Sequence, residues 1–211
     1  MNMPAGQHPF ADFMAKFISV IFHPVLMPLY GLIIIFSAPT LFDFLPTVQK
    51  KIVLLIFSTN NILLPLSLIP YMKWRKMISS WTIDDRSERI IPMAITSFFY
   101  LVTVYVVLKF NIPVFIKAFI LSTALFSFVL TVINFWWKIS IHASGAGAMT
   151  SLIFVLSIKM HTPLTPFLIS VILASGLILS SRLWLNSHNP REVWIGYLAG
   201  IAGMAGFLSI F

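Results

Sequence analysis

The chain has 211 residues, 59% of them hydrophobic and 9% charged, with a mean hydropathy of +0.95. Soluble domains carry about 25% charged residues, so a water-exposed globular fold is excluded and an integral membrane protein remains. The absence of cysteine excludes disulfides and thiolate chemistry. The net charge of +8 points to anionic headgroups or phosphates rather than nucleic acid, because no soluble basic domain is there to present it.

Seven apolar segments follow in chain order. Residues 1–13 lack the basic run and A-x-A site of a cleaved signal. The first segment, about 17–37, is therefore expected to stay as an anchor, although Pro24 and Pro28 fall inside it. The second covers about 52–72 and is followed by a polar stretch, 73–89. The third, about 91–108, and the fourth, about 114–136, are joined by a short turn with Asn111 and Pro113. The fifth, about 143–160, opens on the small-residue run Ala143-Ser-Gly-Ala-Gly-Ala148. His161-Thr-Pro leads into the sixth, about 166–179, and a polar elbow, 180–191, precedes the seventh, from 193 onward. Gly196, Gly200 and Gly203 give the seventh a face for close helix packing. A span needs roughly 20 apolar residues. In hydrocarbon its backbone groups must pair within the segment, so each span is a helix. The expectation is an all-α integral membrane protein, one domain formed by a bundle of six to seven transmembrane helices.

If all seven segments cross, loops 73–90, 137–142 and 180–191 share one membrane face. They carry Asp84, Asp85, Arg86, Glu88, Arg89, Lys138, Ser140, His142, Ser181, Arg182, His188 and Glu192. Such a set suits phosphate chemistry. Arg binds phosphoryl oxygens bidentately and Lys as a point charge, and imidazole serves as nucleophile or proton donor near neutral pH. The opposite face offers Lys50, Lys51, Lys109, Lys117 and Lys159, mostly at span ends where Lys snorkels. Lys16, Lys73, Arg75, Lys76 and Arg191 balance them on the first face, so the positive-inside rule does not choose an orientation.

The third loop reads Ser181-Arg182-x5-His188-x3-Glu192. It resembles the third motif, S-R-x5-H-x3-D, of the type-2 phosphatidic acid phosphatase superfamily. Val193-x-x-Gly196-x-x-x-Gly200 resembles that family's entry into its last helix. Ile139-Ser140-Ile141-His142, about 40 residues before the third motif, resembles the family's P-S-G-H motif and keeps its Ser and His. The first motif, K-x6-R-P, is degenerate: Thr82 stands seven residues before Arg89, and Pro92 is displaced. The resemblance covers about residues 86–200.

This resemblance implies a lipid phosphatase that needs no metal or cofactor and works through a phosphohistidine. His188 would be the nucleophile, Glu192 the acid orienting it, and His142 the donor of a proton to the leaving oxygen. Arg182, Ser140, Ser181 and the Ile141 N–H would hold phosphate oxygens. Arg86 and Arg89 would add cationic binding, and Lys138 would replace the missing ammonium. The implied substrate is a phosphorylated lipid: a polyprenyl diphosphate, phosphatidic acid or phosphatidylglycerol phosphate. The implied location is a plasma membrane, such as a bacterial inner membrane, with the site facing away from the cytoplasm. The family core has six spans, so one of the seven, the third or the fourth, is expected to be re-entrant or family-specific. Glu in place of Asp at 192 adds one methylene, and a misplacement of about 1 Å can cost on the order of 100-fold in rate.

Plainer readings stand beside these. Asn189-Pro190-Arg191-Glu192 is also a helix start with N-cap, Pro at the first position and a capping-box Glu, a role compatible with orienting His188. Arg182 and Arg191 suit interfacial anchors, His142 an interfacial histidine, and His23, beside Pro24, a structural one. Nothing singles out His8 or His161. The charges from Asp84 to Arg89 can neutralise one another, although such exposed pairs contribute only about 0–1 kcal/mol each. Lys73, Arg75 and Lys76 suit headgroup contacts. Three other functions compete: a non-catalytic lipid-binding or scaffolding relative, a magnesium-dependent prenyltransferase, and a serine hydrolase. The prenyltransferase would rest on Asp84-Asp85-Arg86 and lacks a second Asp-rich motif. The hydrolase would rest on Ser140 or Ser144 and lacks a nucleophile motif.

Overall fold

A computed structural model of the chain describes residues 9–79 and 86–210. Asp84, Asp85 and the side chain of Arg86 lie outside the described residues. The regular elements among the described residues are all helical. Six stretches are long and apolar enough to cross a membrane: Thr47–Trp74, Ser87–Leu108, Val114–Asn134, Ile141–Lys159, Thr165–Trp184 and Pro190–Ser209. The protein is an all-α membrane bundle.

The apolar segment that forms no helix long enough to cross is the first; the third and fourth each form one that is. Its residues form two short helices, α1 (Pro9–Ile21) and α2 (Met27–Ser37). The 13 residues of α1 rise about 20 Å, against a hydrocarbon core about 30 Å thick. The break has a local cause. Pro24 has no N–H to donate and disfavours helical backbone at His23. The turn is closed instead by Leu26 N donating to His23 O at 2.8 Å and Val25 N to His23 Nδ1 at 3.3 Å. Pro28 falls in the first turn of α2, where its missing N–H goes unneeded.

The chain divides into two compact units. One holds Leu29–Lys138 and the last few residues. In it, α3 (Thr47–Ser58) passes through a π-helical turn, Thr59–Leu63, into α4 (Leu64–Trp74), followed by α5 (Arg86–Leu108) and α6 (Val114–Asn134). Polar side chains hold these helices together where no water can. Asn61, in the π turn, donates to Thr103 Oγ1 on α5 at 2.9 Å, and Ser97 on α5 meets Ser127 and Thr131 on α6 at 2.8 and 3.1 Å. Lys50, expected to snorkel, instead clips a loop, donating to Phe36 O at 2.8 Å and pairing with Asp43 at 3.2 Å.

The other unit contains residues up to Pro28 and Ile139–Ala205: α1, α7 (Ile141–Lys159), α8 (Thr165–Trp184) and most of α9 (Pro190–Ser209). Helix α8 runs antiparallel to α7, and α9 runs parallel to it. The start of α7, the end of α8 and the start of α9 therefore meet at one end. Glycines set the closeness of α7 and α9: a Cβ on Gly147 would strike the Tyr197 carbonyl, and one on Gly200 the Ser144 carbonyl. Met27, Ala143, Ala146, Ile178, Leu179 and Val193 form the core. Thr150 ties the three helices at mid-height, with Ser175 Oγ and the Tyr197 hydroxyl each 3.2 Å away. Helix α1 packs on α8, where Asp12 Oδ1 accepts from Trp184 Nε1 at 2.9 Å. The elbow begins later than expected: Ser181 and Arg182 belong to the last turn of α8. Both are buried against protein, so their polarity does not end the helix as it would in lipid.

Candidate active site

The site is built by a helix stop and a helix start. Helix α8 ends in a Schellman turn. Ser187 N donates to Arg182 O at 3.3 Å and Asn186 N to Leu183 O at 3.0 Å. Asn186 takes the left-handed conformation, φ 50°, which Asn tolerates better than most residues. Three residues further on, Asn189 caps α9, accepting from Glu192 N at 2.9 Å through its Oδ1. Glu192 reaches back in return, with Oε1 2.9 Å from Asn189 Nδ2 and Oε2 3.4 Å from Asn189 N. His188 is held between stop and start.

The same Glu192 Oε2 lies 2.7 Å from His188 Nδ1. The two side chains are 1% and 13% exposed, so this hydrogen bond is shielded from water and strong. A carboxylate only accepts, so it fixes the proton on Nδ1 and the lone pair on Nε2. Capping and orienting are thus done by one carboxylate.

Ser140 opens α7. Its Oγ accepts from Ala143 N at 3.4 Å, and its own N–H donates to Glu192 O at 3.3 Å, which fastens the starts of α7 and α9 together. That leaves the Ile141 and His142 N–H groups at the positive end of a 19-residue helix, a natural place for an anion. Ser181 Oγ donates to Leu177 O at 2.7 Å, so its hydroxyl proton is committed to its own helix rather than to a phosphate.

His142 and Arg182 both reach α1. His142 Nε2 lies 3.1 Å from the Ser19 carbonyl, and Arg182 Nη1 lies 3.3 Å from Ser19 Oγ. The His23 ring stands edge to face with the His142 ring, centroids 5.7 Å apart and planes at 81°. His23, in the turn between α1 and α2, is held below its ordinary pKa first by burial and then by the Arg182 guanidinium.

One unit therefore gathers Ser140, His142, Ser181, Arg182, His188 and Glu192. Lys138, half-buried, is the last residue before that unit, and Arg86 and Arg89 open α5; all three belong to the other unit. The sequence reading missed Ser19 altogether and set His23 aside as structural. The available signal was a histidine next to a proline in an apolar stretch, a polar group at a predicted break. No group of three or more His, Asp or Glu side chains placed to hold a metal occurs among the described residues. No family model, curated protein or solved structure matches the chain.

Proposed function

We propose that the protein is a membrane lipid phosphatase acting through a phosphohistidine on His188. The observation that carries this reading is the buried 2.7 Å bond from His188 Nδ1 to Glu192, with Arg182 and His142 gathered at the same helix ends. His188 Nε2 attacks phosphorus, and the bond from phosphorus to the lipid oxygen breaks. His142 gives its proton to that oxygen, so a lipid alcohol leaves from a monoester and a lipid monophosphate from a diphosphate. Water then attacks the phosphohistidine, His142 takes a proton from it, and the N–P bond breaks to release phosphate. Glu192 stabilises the positive charge on His188 in between. Arg182 and the start of α7 offset charge on the phosphoryl oxygens.

In this geometry Ser140 caps α7, and Ser181 bonds back to its own helix. The phosphate role of Lys138, Arg86 and Arg89 rests on the sequence resemblance alone. A phosphorylated lipid is the natural substrate for a site at the ends of spanning helices: a polyprenyl diphosphate, phosphatidic acid or phosphatidylglycerol phosphate. A bacterial inner membrane, with the site facing away from the cytoplasm, is the corresponding location.

The test is phosphate release from these lipids by the purified protein in detergent with EDTA present. Release that survives EDTA and disappears in His188→Ala supports the reading. No release from any of them by folded protein would move the assignment to a non-catalytic lipid-binding relative. Release unchanged in His188→Ala would reject His188 as nucleophile.

A further inference from the structure

The geometry points to the end of α1, Ser19 and His23, as a positioning element of the site that fixes the general acid His142 and the phosphate cation Arg182. This inference rests on the phosphatase reading. His188 has Glu192 to set its tautomer and direction. A general acid needs the same service, and no carboxylate supplies it to His142 within the described contacts. The Ser19 carbonyl, 3.1 Å from Nε2, only accepts, so it holds the proton on Nε2. The proton delivered to the leaving oxygen must then pass through Nδ1, which the resting Nε2–H tautomer leaves unprotonated and which takes it from the monoanionic phosphate ester on binding. His23 closes a second side of the ring at 5.7 Å, edge to face. Its own direction is set by Val25 N donating to Nδ1 at 3.3 Å, in the turn that Pro24 enforces. Pro24 thereby acts on the site through His23.

Ser19 has a second contact. Its hydroxyl donates to Ala15 O at 2.9 Å and accepts from Arg182 Nη1 at 3.3 Å. One residue thus holds the acid by its carbonyl and the cation by its side chain, 123 and 163 positions away along the chain. Helix α1 is too short to span, and Phe10, Phe13 and Phe17 point outward from it. It serves as a brace laid on α8 rather than as an anchor alone.

The two contacts predict separable defects. His23→Ala frees the His142 ring. On an alkyl lipid phosphate kcat falls about 10- to 100-fold with KM unchanged, the loss expected of a misplaced acid. On a nitrophenyl phosphate, whose leaving group needs no proton, the rate of the nitrophenol burst that reports phosphorylation of His188 stays within about threefold of wild type. His23→Phe keeps a ring in place and restores the rate on the alkyl ester. Ser19→Ala keeps the carbonyl and drops the Arg182 contact, raising KM about 3- to 10-fold with kcat kept. Equal losses on both esters, or a His23→Phe variant as poor as His23→Ala, would overturn the positioning role.

A second readout is independent of turnover: nitrogen NMR of the full chain labelled with ¹⁵N-histidine. Wild type and His23→Phe should show His142 as one fixed Nε2–H tautomer, and His23→Ala a tautomer average. An unchanged His142 signal in His23→Ala overturns the proposal whatever the activity. The expected NMR pattern without phosphate release from any ester would instead bring down the phosphatase reading and leave the placement of His142 intact.

Discussion

Replacing Glu192 by Gln separates the two jobs that one carboxylate performs. The side chain keeps its length and removes a charge 2.7 Å from His188 Nδ1, where the two groups are 1% and 13% exposed. The capping bond from Glu192 N to Asn189 Oδ1, 2.9 Å, uses the backbone and survives. Gln is also accepted at this position of a capping box. What changes is the imidazole. The amide can present N–H to Nδ1 and favour the tautomer with its proton on Nε2, and it gives no charge stabilisation to a phosphorylated ring. In the Ser-His-Asp triad the equivalent change lowers kcat about 10⁴-fold, and here the histidine is itself the nucleophile. The expected fall in kcat is therefore on the order of 10³- to 10⁴-fold, with the unfolding midpoint in detergent unchanged. Glu192→Asp withdraws the carboxylate by about one carbon–carbon bond, roughly 1.5 Å, and should lose about 100-fold. Glu192→Ala should lose activity and about 1 kcal/mol of stability with the reach-back bonds. The assay is lipid phosphate release beside a thermal scan of each variant. A Gln variant with wild-type kcat would refute the orienting role. So would activity losses that merely track the losses in stability.

Three further outcomes follow from the same geometry. Gly147→Ala and Gly200→Ala should each destabilise by about 1–3 kcal/mol, because the new Cβ meets a backbone carbonyl; Gly176→Ala, with open space around it, should not, as denaturation in detergent would reveal. Asn186→Gly should keep stability and activity, whereas Asn186→Val, forced into the left-handed region, should lose about 1–2 kcal/mol and shift His188, read by the unfolding midpoint and kcat. Because the folded-state pKa of His23 is lowered below 6.5 by burial and then by Arg182, the unfolded chain binds its proton first on acidification. The stability this residue contributes is present above about pH 6.5 and lost as pH falls below it. His23→Phe should flatten that part of the midpoint-against-pH curve.

Hydropathy made most of the bundle legible, and its failures have physical reasons. A window average cannot tell a span from two short helices about a turn, so residues 17–37 read as one crossing although Pro24 removes a donor and biases His23 away from helix. The end of α8 was misplaced for the converse reason. Ser181 and Arg182 look like loop residues in a lipid setting, but both are buried in protein, where polarity and helix coexist. His188 and Glu192 were legible because they stand four positions apart and local geometry brings them together. Ser19 and His23 were not, because their partners lie more than a hundred residues away and no local pattern surrounds them.

The spacing of the third motif carries more than chemistry. Arg182 supplies the carbonyl that Ser187 closes onto, so five residues between Arg182 and His188 is the length of a Schellman stop plus its exit. His188 then stands immediately before the Asn189 cap, and Glu192 falls at the third helical position, where a capping-box acid turns back. The pattern S-R-x5-H-x3-E is thus also the register of one helix ending and the next beginning. The helix-start reading and the catalytic reading of Glu192 therefore do not compete, because the backbone requirement delivers the carboxylate to the imidazole. A one-residue insertion between His188 and Asn189 should spare the six spans and the Asn189 cap and still remove the 2.7 Å contact, with the loss of activity expected for His188→Ala.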